Sequence, residues 1–315
     1  KYKRVSMTTL NISIAGLGNV GSNLVKIIEE NYHSISYKSS LNINIVGISA
    51  KNKSKNRIFD VKKYEWYDNP INLLDINNTN IFIELIGEEK GISFDLVKEA
   101  LQKKINVITA NKALLANHGN ELFKIAEDNS VKLLFEAAVA GGIPIIKTLK
   151  NNIFLNKVKK ISGILNGTTN YILTTMETQN KSFDEVLDDA KQKGFTSDNE
   201  SKLDIGGYDA AHKLTLLSTI AFGGNIDFNL NQIEGIEKIT IEDINFVKHL
   251  GFRIKLISES FLIDDMICSS TKPKLIPLDK PMANVDGALN AINVETDQLE
   301  NLYLEGEGAG GLATA

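Results

Sequence analysis

The sequence predicts an α/β protein: a parallel sheet covered by helices on both faces, followed by an α+β domain. Three observations carry this. A strand-like stretch near residue 12 runs into glycines spaced G-x-G-x-x-G and then into a helical pattern. Apolar strands and helical runs alternate from there to about residue 136. After Pro144 the alternation gives way to helices and then to strands in succession.

The first strand alternates around Ile12 and Ile14 and ends in Gly16-Leu17-Gly18-Asn19-Val20-Gly21. Val20, Leu24, Ile27 and Ile28 then share one side of a helix. Strand, glycine turn and helix are the context a Rossmann-type dinucleotide site requires: Gly16 for the tight turn, Gly18 for approach of a pyrophosphate, Gly21 for close packing. Residues 16–21 are therefore candidate cofactor ligands, with the helix N-terminus facing the phosphates. A second strand, 43–49, would end in Asp or Glu at an NAD site, to bind the ribose 2′-hydroxyl. It runs instead into Lys51, Lys53, Lys55 and Arg57, with no acid. Cations attract the 2′-phosphate that a carboxylate would repel. NADP(H) is the expected cofactor, NAD being possible, with Lys51 and Arg57 as ligands; a solvated basic loop is the bland alternative.

Further strands are expected at 81–86, 107–110 and 131–136. Their carboxyl ends, where such sheets bind ligands, carry Gly87, Thr109, Lys112 and Glu136. Lys112 is thereby placed near the nicotinamide. In the second half a strand at 157–165 leads into helices at 168–177, 183–193, 209–222 and 241–250. Strands at 253–261, 266–270 and 299–304 complete it. In the third helix Asp209 and Lys213 stand at i and i+4, one turn apart on one face. In isolation that spacing more often marks a solvated ion pair.

The chain has 315 residues, 43% hydrophobic and 23% charged, enough for two cores. Its net charge of −4 argues against nucleic acid or an anionic membrane as partner. No apolar run approaches the roughly 20 residues that span a bilayer. The basic start before Met7, itself a candidate initiator, has no apolar core behind it, so no secretory signal is expected. Cys268 alone excludes a disulfide framework, and the four histidines lack metal-ligand spacing. The expectation is a cytoplasmic protein acting on a small molecule. Its expected domains are 1–144 for the dinucleotide, 145–304 for substrate and dimerisation, and a shortened closing segment, 305–315.

Several runs together resemble the homoserine dehydrogenase family. They are Thr109 to Ala116, Glu136 to Pro144, Gly163 to Leu173, Asp204 to Lys213, Ala283 to Gly287, and Gly308-Ala309-Gly310-Gly311. They follow the family's order and cover nearly everything from residue 10 onward. The resemblance implies interconversion of homoserine and aspartate 4-semialdehyde, within threonine and methionine biosynthesis. It implies Lys213 as acid/base with Asp209 as its partner, Lys112 reaching substrate and nicotinamide, and Asp204 on the substrate amino group. It further implies substrate contacts from Asn166, Gly167 and Thr168, and cofactor contacts from Thr109 and Gly308. A sodium loop is implied, formed by the Glu136 carboxylate and the carbonyls of Val139, Gly141 and Ile143, an all-oxygen set suited to a hard cation. It also implies a homodimer, here without the regulatory domain that many members carry. Two departures stand out. Ser197 occupies the position of a substrate-binding Glu, with Asp198 or Glu200 as substitutes, and Ala313 replaces a proline near the end. Alternatives are a dehydrogenase of another small amino acid and a nucleotide-binding pseudoenzyme.

Overall fold

A computed structural model describes residues 7–198 and 200–309. The described residues divide into two compact units, one reaching to 138 and the other spanning 139–309. Gly310, Gly311, Ala313 and the rest of the expected closing segment from 310 onward lie outside the described residues.

The first unit is a parallel sheet. β1 (Thr8–Ala15) leads to α1 (Asn19–Ser39), then β2 (Leu41–Ser49), β3 (Ile81–Glu84), α2 (Ile92–Gln102), β4 (Asn106–Thr109), α3 (Lys112–Asp128) and the two-residue β5 (Leu133–Leu134). The strand order is β2-β1-β3-β4-β5. β1 pairs β2 on one side and β3 on the other, so the order reverses there, the position at which such sheets bind ligands. Ile12, Ile14, Ile48 and Ile83 from three strands pack with Val25 and Ile28 of α1 into one buried cluster. β3 stops at Glu84, two residues before the expected end, because its own side chain takes the amides of Ile86 and Gly87 that would have continued a ladder.

The second unit opens with α4 (Ile145–Lys147), which runs into a π-helical turn, Thr148–Asn152. It continues through β6 (Val158–Ile164), α5 (Gly167–Gln179), α6 (Phe183–Gln192), α7 (Ser201–Ile205), α8 (Tyr208–Phe222), β7 (Asn231–Ile233) and α9 (Ile241–His249). β8 (Phe252–Ile263), β9 (Met266–Pro277), β10 (Leu289–Thr296) and β11 (Asn301–Glu307) follow. They form one mixed sheet ordered β11-β10-β6-β8-β9-β7, against which α5, α8 and α9 pack. An α/β unit followed by an α+β unit is the expected fold class. The short β7 is unexpected, and two longer strands also depart from expectation. β9 runs to Pro277, far past 270, although Pro273 lies inside it. β7 covers only Ser269–Thr271, so beyond that point β9 has, among the described residues, no strand on that side to need a proline's missing N–H. β10 is a full strand that its two asparagines concealed, since Asn disfavours strands. Among the described residues no helix is long and apolar enough to cross a membrane.

Candidate active site

In the first unit the glycine turn shows the tight turn and the close packing expected of it, and leaves room at Gly18. Gly16 has φ +99°, and a Cβ there would lie 2.3 Å from the Leu85 carbonyl, so nothing larger fits between β1 and the chain leaving β3. A Cβ on Gly21 would lie 2.0 Å from the Gly16 carbonyl oxygen. A Cβ on Gly18 would meet no other part of the described residues within 4 Å. That open space lies at the N-cap of α1, where amides without side-chain caps point outward. The residues present thus fit a dinucleotide: close packing where helix meets strand, and room where a pyrophosphate would lie. Gly16, Leu17 and Gly18 line a cleft of about 610 Å³ together with Lys51, Lys55, Arg57, Ile86 and Glu88.

The cations around this cleft divide in two. Arg57 donates to the carbonyls of Asn52 (2.7 Å), Lys55 (3.0 Å), Lys53 (3.4 Å) and Leu17 (3.4 Å), and its guanidinium lies 5.4 Å from the centre of the Trp66 ring. It knits the basic loop into a fixed shape and ties it to the glycine turn. Lys51 and Lys55 line the cleft as point charges. At the same, carboxyl end of the sheet, two strands along from β1, Thr109 closes β4 fully buried, and Lys112 opens α3 behind the N-cap Asn111.

In the second unit a compact polar cluster forms around the start of α8. Gly207, left-handed at φ +82°, lets the chain turn directly from α7 into α8. Asp209 and Lys213 then lie in the first turns of the helix. The Lys213 ammonium sits 2.8 Å from Asp209 Oδ2 and donates to the Leu165 carbonyl at 2.7 Å. Their side chains are only 11% and 12% exposed, which sets the pair apart from a solvated surface bridge. Asn166 caps α5 by accepting from the Thr169 amide, while its Nδ2 donates to Asp204 Oδ1 (2.8 Å) and to Asp209 Oδ2 (2.9 Å). Thr196 Oγ1 donates to Asp204 Oδ2 at 2.7 Å. Burial, and then the nearby charge of Asp209, pushes the Asp204 carboxyl above its ordinary range, against the hydrogen bonds from Thr196 and Asn166.

The structure therefore brings Asn166, Asp204, Asp209 and Lys213 together, with Gly167 and Thr168 at the adjoining start of α5. Ser197 and Asp198 turn to other partners. Ser197 Oγ donates to Glu200, and Asp198, with its side chain 87% exposed, pairs with Lys191. Thr196, one residue earlier, reaches the cluster instead. Gly308 follows β11 in the second unit, packed on the Asn290 side chain, and is not among the residues lining the cleft. Glu136 opens a 3₁₀ turn, Glu136–Ala138. In the loop that follows, Ala140 is left-handed at φ +49°, Gly142 N–H donates to the Glu307 carbonyl, and the Ile143 carbonyl accepts from Ile145 N–H. A carboxylate and backbone carbonyls are the chemical type of donor that suits a hard cation. Sequence reasoning missed Thr196 and Glu84. The latter ends β3 fully buried, and its one signal was an acid closing an otherwise apolar strand.

Comparison with known proteins agrees with both units. Residues 144–315 match the family model described as homoserine dehydrogenase, and residues 16–136 match its NAD binding domain. The chain is 37% identical over 309 residues to a homoserine dehydrogenase of Neisseria gonorrhoeae, covering 98% of this chain and 70% of that protein. It is 40% identical over 313 residues to one of Helicobacter pylori, covering 97% and 71%. The crystal structure of a homoserine dehydrogenase from Thiobacillus denitrificans superposes with a TM-score of 0.91 at 36% identity, covering 98% of this chain and 71% of that one. A hyperthermophilic archaeal homoserine dehydrogenase solved in complex with NADPH gives 0.81 at 27% identity, covering 98% and 94%. With the dinucleotide cleft in one unit and the buried lysine–aspartate cluster in the other, the chain belongs to the homoserine dehydrogenase family, NAD(P)-dependent oxidoreductases acting on the hydroxyl of homoserine.

Proposed function

We propose that this chain interconverts L-homoserine and L-aspartate 4-semialdehyde with NADP(H) as its preferred cofactor and Lys213 as the group that moves the proton. The observation that carries the reading is the buried Lys213–Asp209 pair at 2.8 Å, held by Asn166 and the Leu165 carbonyl. When bound, the cofactor supplies the hydride. Reduction of the aldehyde also needs a proton at its oxygen. The Lys213 ammonium donates it and is left as the amine, and its charge stabilises the oxyanion as it forms. In the oxidation of homoserine the amine takes that proton back. Asp209 holds the ammonium in place, and Asp204 is the acceptor for the substrate's ammonium group. Lys112 supplies a second positive group at the reactive end of the cofactor.

The preference for NADP rests on Lys51 and Lys55 lining the cleft, with no acid at the end of β2. Arg57 acts in this reading by shaping the loop. Sodium held by Glu136 and the carbonyls of Val139, Gly141 and Ile143, a homodimer, and a cytoplasmic setting complete the proposal. It places the substrate domain at 145–304. The test is oxidation of homoserine followed by nicotinamide absorbance, with NADP and NAD compared and a panel of other small amino alcohols alongside. Preferential turnover of homoserine with NADP supports the reading. Equal kinetic constants for NADP and NAD overturn the cofactor assignment, and a better alternative alcohol overturns the substrate.

A further inference from the structure

The buried acid at the end of β3 has no part in the chemistry above, yet it is fully enclosed and has four donors aimed at it. Glu84 Oε1 accepts from the amides of Ile86 (2.9 Å) and Gly87 (3.0 Å) and from Ser93 Oγ (3.0 Å). Oε2 accepts from Thr109 Oγ1 at 2.6 Å. The Thr109 oxygen in turn accepts from the Asn111 amide at 3.0 Å. Asn111 closes the circuit: its Nδ2 donates to the Glu88 carbonyl at 2.6 Å, and its Oδ1 accepts from the Leu114 amide as the N-cap of α3. The ring thus runs from the carboxylate through the end of β4, into the helix that begins at Lys112, and back across the loop that follows β3.

We propose that Glu84 is a positioning residue: its carboxylate fixes the α3 N-terminus against the loop after β3, and so fixes where Lys112 presents its ammonium. The inference rests on the reading of Lys112 as the lysine at the cofactor's reactive end. Burying a carboxylate costs several kcal/mol unless its lone pairs are satisfied, and among the described residues no cation pairs with it. Only an acceptor with two oxygens serves all four donors at once. A glutamine offers one oxygen and turns an N–H₂ toward a hydroxyl, so the polarity of the ring must reverse on one side. Ile86 and Glu88, on the loop that Glu84 ties down, also line the dinucleotide cleft. The carboxylate therefore couples cofactor-side backbone to the helix carrying the lysine.

The test is a double-mutant cycle on the full chain between Glu84→Gln and Lys112→Ala, with homoserine kinetics, NADP binding by fluorescence and thermal melting on each protein. Thr109→Val serves as a second variant, cutting the relay while keeping the side chain's volume. Glu84→Gln is expected to lower kcat/KM for homoserine about tenfold or more, with the NADP Kd moving far less, because a misplaced charge is felt at the substrate. In the Lys112→Ala background the same change is expected to cost almost nothing further, since residues that act through one another are not additive. A purely structural role lowers the melting temperature but leaves KM and kcat of the folded enzyme unchanged. That result, or full additivity in the cycle, overturns the proposal. If Lys112→Ala is itself silent, the reading of Lys112 fails and the proposal with it. If Lys112→Ala is costly and both Glu84→Gln and Thr109→Val are silent, only the positioning role fails.

Discussion

At the scale of single residues, the site works by burying charge that water would otherwise neutralise. Asp204 and Asp209 share one amide, Asn166, and burial together with the resulting crowding of charge pushes the Asp204 carboxyl upward. An acid whose pKa is raised on folding contributes stability below its unfolded value and loses it as the pH rises through the folded one. Asp204→Asn, with nearly the same shape and no charge, is therefore expected to melt higher than the parent at neutral pH. The gain should shrink as the pH falls toward the ordinary carboxylate range. The same variant should weaken homoserine binding by roughly 10–100-fold, the usual size of a missing hydrogen bond to a charged group. Paired melting curves and KM values check both signs; a variant that melts lower at neutral pH contradicts the first. Lys255 offers a second residue-level check, away from the site. It is 2% exposed, donates to Asn170 Oδ1 and the Val285 carbonyl, and faces Asp286, Arg253 and Glu177. Burial pulls its pKa down to about 8 from the ordinary 10.5, with Asp286 opposing. Its share of stability is lost as the pH falls through 8 and fully present only above 10.5. Tyr64 and Tyr303, whose pKa values burial raises, act oppositely in the alkaline range. The readout is thus the difference between parent and Lys255→Met: stability of the parent should gain on the variant between pH 8 and pH 10.5. Parallel curves exclude a titrating Lys255.

At the scale of elements, the loop from Lys51 to Arg57 separates two functions that look alike in sequence. Four cations in seven residues read as one phosphate-binding patch. The fold instead commits Arg57 to three loop carbonyls and the Leu17 carbonyl and sets Lys53 over the Trp66 ring, leaving Lys51 and Lys55 to line the cleft. Lys51→Asp is expected to raise KM for NADP by roughly 10–100-fold, because a charge-assisted hydrogen bond to the phosphate gives way to a repulsion, with NAD little changed. Arg57→Gln should instead lower the melting temperature and weaken both cofactors together. Kinetics with each cofactor distinguish the two, and a selective loss of NADP in Arg57→Gln would reverse the roles assigned here. The same contrast shows what was legible in the sequence. The glycine turn, its strand and its helix follow from period and spacing, because local chemistry dictates them. Helical spacing alone puts Lys213 and Asp209 on one face. Thr196 and Glu84 give no such signal, because each acquires its role from a partner distant in the chain or from burial, neither of which periodicity encodes. β10 is hidden for a related reason: Asn290 and Asn293 oppose strand propensity, and pairing with β6 and β11 overrides it.

At the scale of the whole molecule, the proposal divides labour between one unit for the cofactor and one for proton transfer, with the 136–143 segment passing from the first to the second. If that segment holds sodium, melting temperature and turnover should rise with sodium at fixed ionic strength. Glu136→Gln should abolish the response without unfolding the chain, as expected when a ligand binds only the native state. Identical behaviour in sodium and in a bulky organic cation removes the ion from the account. The central claim is that Lys213 moves the proton, and the most direct measurement is the turnover of Lys213→Ala alongside its NADP affinity and melting. A solvated ion pair contributes about 0–1 kcal/mol to stability and nothing to chemistry. A general acid/base contributes roughly 10²–10⁴-fold in rate. The account predicts near-native NADP binding and a fall in kcat of at least roughly 100-fold, with no rescue by Lys213→Arg, whose guanidinium keeps its proton. Retention of more than about a tenth of the parent turnover, well outside the acid/base range, would contradict it.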